Sequence, residues 1–502
     1  MSEDHTPILI GAGQLTQRDV DPGEAKEPLL MMVETARRAA ADAGADARLL
    51  LQLDTLAVVN IIGWHYPNAP QALAEQLGAH PTQELYTTVG GNTPQWLVNE
   101  TAAQIAAGGV RLALLAGAEA VHTLIRARRT NTELRWNLNG TGVPTRVGDP
   151  RPGTTDHETA HGLQAPAAIY PLFENALRAH YGITLSEHRS RLGALCSRMS
   201  AVAAQNPYAW FQQERSAEEI VTVTPTNRLI GFPYPKYMNA IIDVDQSAAV
   251  LMTSVAHARE LGIDPARWVY LRGCGDAYDR WFVSERVNYH SSPALRLAGQ
   301  KALAMAGVSV DRIDHFDLYS CFPSAVQIAR DMLGIAENDP RSLTVTGGLP
   351  YHGGPGNNYG MHAIATMMAK VRETRGAIGL VSALGWYVTK HATGIYSATP
   401  KDGPWVREDP AVYQSELDRL PGPPLAMEPQ GRAQIETYTV LHDREGTPIR
   451  AIIIGRLADG RRFLANPPES RSIYDALMSR EAVGSAGTVS SKNGMNCFEP
   501  EL

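Results

Sequence analysis

The sequence predicts an α/β protein made of two related halves, an inserted segment and a small C-terminal β unit. Residues 27–60 and 292–323 resemble each other: each holds an alanine-rich amphipathic helix ending in Ala-Gly, a short acidic connector and an apolar strand. The two copies are too far apart for a solenoid, so they indicate two α/β halves in one chain. Polar turns interrupt the alternation of helices and strands between residues 121 and 228. Proline-rich stretches followed by alternating strands begin after about residue 400.

The composition predicts a large buried core and argues against two kinds of partner. The chain has 502 residues, of which 44% are hydrophobic and 19% charged. Its net charge of −7 and its pI of about 6.1 argue against nucleic-acid or membrane partners. No run reaches the ~18 apolar residues that a bilayer span needs, and the acidic start predicts no signal peptide and a cytoplasmic location. Four scattered cysteines predict neither a disulfide framework nor a metal site.

The first half is predicted to alternate strands and helices. Residues 6–15 (TPILIGAGQL) predict a buried strand, whose Gly-Ala-Gly lacks the third glycine and the acidic partner of a dinucleotide fingerprint. Residues 95–109 predict a helix ended by glycine, and residues 110–120 predict a fully buried strand. We therefore assign residues 1–120 and 229–270 to the first half and residues 121–228 to an insertion domain.

The rest of the chain is predicted to hold the second half and an additional unit. The second half covers residues 271–400, and the additional C-terminal β domain covers residues 401–502 with a tail. Strands are expected between residues 434 and 467, around polar turns. Residues 490–502 are expected to form a flexible tail, so Cys497 is not expected to be a nucleophile.

One loop stands out as a candidate for ligand contact. Residues 346–360 (TGGLPYHGGPGNNYG) contain six glycines, two prolines and one histidine, and a helical pattern follows. Because glycine has no Cβ, such a loop lets the backbone approach another group closely.

Several motifs, taken in order, resemble the thiolase superfamily over residues 6–397. These are AAQIAAGGVRLALLAGAEA, IYPLFENALRAHYG, DVDQSAAVLM, DLYSCFP, GGLPYHGGPGNNYG and SALGWYVTKHATGIYS. The likeness is to sterol-carrier-type thiolases and to thiolase-like proteins with an added C-terminal domain. It implies a layered α-β-α-β-α thiolase fold, and it implies that the C-terminal strands form a small OB-like β domain.

The resemblance also implies what the protein acts on. The expected ligand is an acyl-CoA or CoA itself, with the CoA thioester as a substrate and no bound cofactor. The expected chemistry is acyltransferase-type carbon–carbon bond formation or cleavage next to a thioester, like that of an acetyl-CoA acetyltransferase. Thiolases usually dimerise, yet the extra β domain leaves a homodimer, a monomer and a partner subunit all open.

The family's catalytic groups are absent from the matching positions. The nucleophilic cysteine falls at Gly91 or Asn92, and the histidine of Gly-His-Pro falls on Gly354. The second cysteine falls on Ala383, and the oxyanion-hole asparagine or histidine falls on Tyr319. Ordinary thiolysis is therefore not supported. Two alternatives stay open: a retro-aldol lyase acting on 3-hydroxyacyl-CoA, and a non-catalytic CoA-ester binding or scaffold protein.

The candidate site residues follow from these motifs. Phenols and a histidine can move the proton of a β-hydroxyl group, while backbone amides can hold an enolate oxygen. The catalytic candidates are His352, Tyr319 and Asn92. The substrate-binding candidates are Gly91, Gly353, Gly354, Tyr351, Tyr359, Gly385 and His391. Three further residues are given ordinary roles: Cys321 as a buried structural thiol, Lys390 as a structural residue without an apolar pocket, and His65 as a surface-loop residue.

Overall fold

The structure is a computed structural model that describes residues 3–136 and 140–502. The first two residues of the predicted acidic start and residues 137–139 of the predicted insertion lie outside the described residues. Across the described parts of the chain, no helix combines the length and the apolar character needed to cross a membrane.

Seventeen strands and fourteen α-helices make up the described chain. The strands are β1 (Pro7–Thr16), β2 (Thr55–Val58), β3 (Gln83–Thr87), β4 (Leu112–Ala120), β5 (Thr145–Val147), β6 (Leu229–Gly231), β7 (Tyr234–Pro235), β8 (Asp245–Ser254), β9 (Val269–Tyr278), β10 (His315–Asp317), β11 (Ile378–Gly385), β12 (Lys390–Ser397), β13 (Gly431–His442), β14 (Pro448–Leu457), β15 (Arg462–Ala465), β16 (Ala486–Lys492) and β17 (Met495–Pro500). The helices are α1 (Pro28–Asp42), α2 (Ala69–Leu77), α3 (Thr93–Ala106), α4 (Val121–Thr130), α5 (Asp156–Ala160), α6 (Pro166–Tyr181), α7 (Leu185–Gln205), α8 (Ala217–Val221), α9 (Val255–Glu260), α10 (Pro293–Ala306), α11 (Pro323–Leu333), α12 (Tyr359–Glu373), α13 (Pro410–Asp418) and α14 (Arg471–Ser479).

The two predicted halves are joined edge to edge in one ten-stranded sheet. Its order is β10-β11-β12-β9-β1-β8-β4-β2-β3-β5, so β9 and β1 form the seam between the halves. Helices α3 and α12 lie between the two half-sheets, because each contacts strands of both halves. Helix α1 packs on β1, β8 and β4, and α10 packs on β9 and β12. The result is the layered α-β-α-β-α arrangement that the resemblance implied.

Glycines in β1 and β9 give the two halves the same helix–strand contact. A Cβ on Gly11 would stand 2.0 Å from the Ala39 carbonyl oxygen of α1, and one on Gly273 would stand 2.1 Å from the Ala302 carbonyl oxygen of α10. The Gly-Ala-Gly of β1 therefore serves close packing of a helix on a strand. The equivalent contact in the second half supports the internal resemblance seen in the sequence.

The inserted segment spreads over more than one part of the fold. Strand β5 runs parallel to β3 and forms one edge of the main sheet, while α5 to α8 are helical. Strands β6 and β7, which directly follow the predicted insertion, join the second sheet, where Gly231 pairs with Leu441 of β13. The predicted domain limits stay a prediction, and this pairing links residues 229–235 to the C-terminal unit rather than to the first half.

The C-terminal unit is a second, antiparallel sheet of order β15-β14-β13-β16-β17. The expectation of a flexible tail over residues 490–502 is wrong, because β16 and β17 form a hairpin there and Phe498 is fully buried. The turn is Asn493-Gly494, with φ of 53° and 75°. Asn-Gly is a strong hairpin signal, since both residues tolerate positive φ.

Candidate functional site

A cavity of about 630 Å³ opens where the N-terminus of α3 meets the ends of β9 and β12. Its wall combines polar groups from both halves with aromatic rings. The groups used below are Asn92, Thr93, Trp96, Tyr278, Trp281, Lys390 and His391. This position, between the two half-sheets and at a helix N-terminus, makes it the best candidate for a ligand site.

Asn92 places an unpartnered polar group at the cavity wall. The residue is 7% exposed, and its Oδ1 has no hydrogen-bond partner among the described residues. The backbone just before it is fixed, because Gly90 N–H donates to Asn357 Oδ1 at 2.9 Å and Thr93 Oγ1 donates to the Gly90 carbonyl at 2.8 Å. Helix α3 starts directly after Asn92, so its N-terminal partial positive charge acts at the same point.

Lys390 enters the same cavity from the first position of β12. It is 6% exposed, and its Nζ donates to the Val89 carbonyl at 2.6 Å. Burial lowers the pKa of Lys390 to about 8, against a smaller opposing effect of Asp149. The sequence-based view of Lys390 as a residue without an apolar pocket is therefore wrong: Trp281 and Trp386 each place a ring centroid 5.7 Å from its Nζ.

The turn between β11 and β12 holds Lys390 in place. Trp386 and Val388 have φ of 55° and 57°, a costly conformation for residues with large side chains. The buried Arg286 fixes this turn by donating to the carbonyls of Tyr387 and Val388 at 2.7 and 2.6 Å and to Thr389 Oγ1 at 2.7 Å. A buried guanidinium thus stabilises a strained turn directly before the lysine.

His391 lies beside Lys390 and is held through one ring nitrogen. Its Nε2 is 3.2 Å from the Val388 carbonyl, 3.1 Å from Ser292 Oγ and 3.5 Å from an Asp279 carboxylate oxygen. A carbonyl only accepts, so Nε2 carries the proton in this arrangement. Nδ1 is buried without a partner among the described residues, and in this tautomer it carries the ring's available lone pair.

Tyr319 reaches the N-terminus of α3 from behind the cavity wall. A Cβ on Gly91 would stand only 2.0 Å from Tyr319 Oη and 2.6 Å from the Leu384 carbonyl oxygen. The phenol therefore fills the space into which a side chain at position 91 would project. Burial raises the pKa of Tyr319, so its hydroxyl stays protonated.

The other aromatic candidates lie deeper in the core and do not line this cavity. His352 is fully buried, its Nδ1 is 3.2 Å from the Gly353 carbonyl, and its ring packs against His362 at 5.0 Å. Burial lowers the pKa of His352 to about 4. Tyr359 donates to an Asp317 carboxylate oxygen at 2.9 Å, and Tyr351 is also buried.

The glycine-rich loop approaches protein groups rather than open space. A Cβ on Gly353 would stand 2.3 Å from Gln246 Oε1, and one on Gly354 would stand 3.2 Å from the Leu349 side chain. Gly385 differs, because a Cβ there would stand 2.1 Å from Asn92 Oδ1. The structure thus brings Asn92, Gly385 and His391 together at the cavity and Gly91 next to it, and the roles of all the candidates stay predictions.

Thiol and metal chemistry have little support at this cavity. No cysteine lines it, and burial raises the pKa of both Cys196 and Cys321 to about 12. Within residues 3–136 and 140–502, no cluster of histidine, cysteine and carboxylate residues could hold a metal ion. His65 is exposed, as expected of a surface-loop residue.

Lys390 and the groups around it were not predicted from the sequence as part of a site. Asp149 and Arg151 lie in the insertion and reach the cavity only through the fold. The available signal was local: Lys390 and His391 are the only charged or titratable residues in the motif SALGWYVTKHATGIYS apart from its tyrosines.

Comparison with known proteins agrees with this fold. A model of the thiolase-like protein type 1 additional C-terminal domain matches residues 413–493. A crystal structure of a monomeric SCP2-thiolase-like protein type 1 from Mycobacterium smegmatis aligns over 99% of both chains, with 36% identity and a TM-score of 0.86. The Ltp2-ChsH2(DUF35) aldolase shares the fold at 18% identity and a TM-score of 0.59, over 79% of this chain and 98% of that one.

A curated relative gives a shorter match. Acetyl-CoA acetyltransferase IA from Candida tropicalis is 29% identical over 171 residues, which cover 34% of this chain and 38% of the relative. The chain therefore matches well under two thirds of that relative's length.

The layered two-half fold, with a cavity at the N-terminus of α3, defines a member of the thiolase superfamily. Within that superfamily, the chain belongs to the SCP2-thiolase-like proteins type 1, because the likeness extends over the whole chain and includes the additional C-terminal domain.

Proposed function

We propose that the chain binds a CoA thioester in this cavity and cleaves or forms a carbon–carbon bond next to the thioester carbonyl, without an acyl-enzyme on cysteine. The observation that carries the proposal is the convergence of Asn92, Lys390 and His391 at the N-terminus of α3. These groups provide an amide, a cation and an imidazole in one cavity. Such a set suits the negative charge that develops on a thioester oxygen.

Retro-aldol cleavage of a 3-hydroxyacyl-CoA fits these groups best. His391 Nδ1 takes the proton of the β-hydroxyl group, the bond between C2 and C3 breaks, and its electron pair forms the thioester enolate. The enolate oxygen accepts hydrogen bonds from an amide N–H of Asn92 and from the ammonium form of Lys390, and the N-terminus of α3 adds partial positive charge. Protonation at C2 then gives a shorter acyl-CoA and an aldehyde or ketone. Both histidines are buried, and this assigns the base to His391, which lines the cavity, rather than to His352, which does not.

Carboxylates at the cavity pair with arginines and not with Lys390. Arg407 pairs with Asp276 at 2.6 Å and with Glu100 at 2.8 Å. Arg151 pairs with Asp149 at 2.6 Å. Among the described residues, Lys390 forms no ion pair with a carboxylate within 4 Å, so its charge is available to an anionic ligand group.

A product analysis by mass spectrometry tests this function. Purified protein is incubated with 3-hydroxyacyl-CoA, and separately with 3-ketoacyl-CoA plus free CoA, over short and long chains. We expect shorter acyl-CoA together with an aldehyde or ketone from the hydroxy substrate, and we expect its rate to fall by at least about tenfold in His391→Gln. Chain-shortened product from the keto substrate with free CoA would instead establish thiolysis and overturn the proposal.

A binding-only role is the second candidate, and the position of Tyr319 favours it. The phenol fills the space into which a nucleophilic side chain at position 91 would project. Trp96 and Trp281 line the cavity, so their fluorescence should report ligand binding directly. A fluorescence change on adding a CoA thioester, with no product from either substrate class, would establish this second role.

A further inference from the structure

The cavity contains an amine whose surroundings differ from those of an ordinary surface lysine. Lys390 Nζ is buried beside two tryptophan rings and has the Val89 carbonyl as its only hydrogen-bond acceptor among the described residues. An ammonium group has three N–H donors. Burying it with a single acceptor and no carboxylate is costly, so this site holds a larger fraction of neutral amine than an exposed lysine does.

The carboxylate that raises the pKa of Lys390, Asp149, is paired with another cation. Arg151 donates to both oxygens of Asp149, through Nε at 3.1 and 3.0 Å, and its guanidinium lies 3.8 Å from the centre of a Trp281 ring. The arginine thus neutralises Asp149 and adds positive charge near Lys390. Both effects disfavour protonation of the lysine.

The amine also has room for a reaction partner on its cavity side. Gly90 and Gly385 lie against the lysine, and a Cβ on Gly90 would stand 2.7 Å from Nζ and 2.5 Å from Asn92 Oδ1. The lack of side chains at these glycines therefore leaves the amine and the unpartnered amide oxygen next to each other. Lys390 lines the cavity, so a carbonyl compound there would meet the amine.

We propose that Lys390 is a carbonyl-reactive amine that forms an imine with an aldehyde or a ketone entering the cavity. The Nζ lone pair adds to the carbonyl carbon, and a proton moves from nitrogen to oxygen to give a carbinolamine. The nitrogen lone pair then forms the C=N bond as the C–O bond breaks, the hydroxyl leaves as water after taking a proton from solvent, and the nitrogen returns its remaining proton to solvent. The overall balance is amine plus carbonyl compound to imine plus water.

This reaction does not require the ligand to carry CoA, so it is independent of the function proposed above. It adds a specific chemistry for the aldehyde or ketone that retro-aldol cleavage releases. Two charged groups act on the pKa of the amine: Asp149 raises it and Arg151 lowers it. Other titratable groups that line the cavity are Glu100, Asp276, His391 and Asp409.

Reductive trapping on the full-length protein tests the proposal. The protein is incubated with limiting acetaldehyde, and separately with acetoacetate, in the presence of sodium cyanoborohydride, and lysine peptides are mapped by mass spectrometry. At pH 7 we expect labelling of Lys390 to exceed that of Lys370 by at least about tenfold. The reason is that the fraction of neutral amine rises about tenfold for each unit by which the pKa of an amine falls. Lys370 is a suitable comparator, since its side chain is 41% exposed and pairs with Glu373. The labelling rate at Lys390 should also rise with a midpoint near pH 8.

Two variants separate reactivity from structure. Lys390→Met keeps the length of the side chain and removes the amine, and Lys390→Arg keeps the charge but forms no imine. Both should lose the label at position 390 and keep the labels elsewhere, and if neither variant folds, the wild-type map decides alone. Labelling of Lys390 at or below the level of Lys370 at both pH 7 and pH 9 would overturn the proposal.

Discussion

At the scale of single residues, the contact between Gly91 and Tyr319 leaves no room for a side chain at position 91, one of the two positions where the resemblance places the family's nucleophilic cysteine. Any side chain at position 91 meets the phenol oxygen at 2.0 Å and the Leu384 carbonyl at 2.6 Å. Both neighbours are held within the core, since Tyr319 is 7% exposed and Leu384 is 3% exposed. A glycine at position 91 and a tyrosine at position 319 therefore depend on each other.

Gly91→Ala should lower the free energy of unfolding by about 1–3 kcal/mol, because overpacking a closed site costs about that much. Urea unfolding measures the change. Gly109→Ala is the matched control, since its Cβ would meet only the Gln104 carbonyl oxygen at an ordinary 3.5 Å. Equal stabilities for the two variants would show that Tyr319 moves aside freely.

His352 makes stability depend on pH in a direction that its burial fixes. Its folded-state pKa of about 4 lies below the ordinary value of a histidine, so below pH 6.5 the unfolded chain takes up a proton that the folded chain does not. The contribution is absent above pH 6.5 and grows as the pH falls towards 4. Between pH 7 and pH 5 it should cost about 2 kcal/mol of stability, at roughly 1.4 kcal/mol per pH unit.

The comparison of wild type with His352→Gln isolates this effect, because glutamine does not titrate. Urea unfolding at pH 7, 6 and 5 should show a stability difference that shifts in favour of the variant as the pH falls. A difference that stays constant across this range would mean that His352 is protonated in the folded state.

At the scale of elements, the strained turn between β11 and β12 depends on one buried arginine. Arg286→Met should cost about 3–5 kcal/mol, because it leaves two carbonyls and the Asp279 carboxylate buried with one partner fewer. Arg471→Met is the control: its i,i+4 pair with Asp475 is exposed, so its loss should cost only about 0.5 kcal/mol. Urea unfolding measures both, and similar losses would contradict the role given to Arg286.

The sequence predicted the repeating elements well, since helices and apolar strands follow local periodicity. The hairpin of β16 and β17 was not predicted because its strands carry polar Ser, Lys and Asn residues. The Asn493-Gly494 turn is the sequence signal that indicates it. At the site, Asn92 and His391 were found from the motifs. Lys390 was misjudged, because its surroundings come from distant parts of the chain that only the fold brings together.

At the scale of the whole molecule, both ends of the main sheet terminate in short strands. Strands β5 and β10 are three residues long each, and short edge strands discourage pairing with another copy. We therefore predict a monomer of 54.4 kDa in solution, to be measured by light scattering after size exclusion. A mass near twice that value, independent of dilution, would contradict it.

The C-terminal unit should unfold together with the two halves rather than as a separate domain. Its strand β13 pairs with β6, which precedes the second half in the chain. Asn175 of α6 donates to the Tyr438 carbonyl at 2.9 Å. Arg462 of β15 is fully buried and donates to the Ser284 carbonyl at 3.0 Å. Because these bonds cross between the units, neither can lose its structure without exposing polar groups of the other.

Urea unfolding followed in parallel by far-UV circular dichroism and tryptophan fluorescence tests this coupling. The two curves should coincide, since one cooperative transition moves both probes. Arg462→Met should shift both midpoints by the same amount. Two separated transitions, with only one of them moved by this substitution, would show that the C-terminal unit is an independent domain.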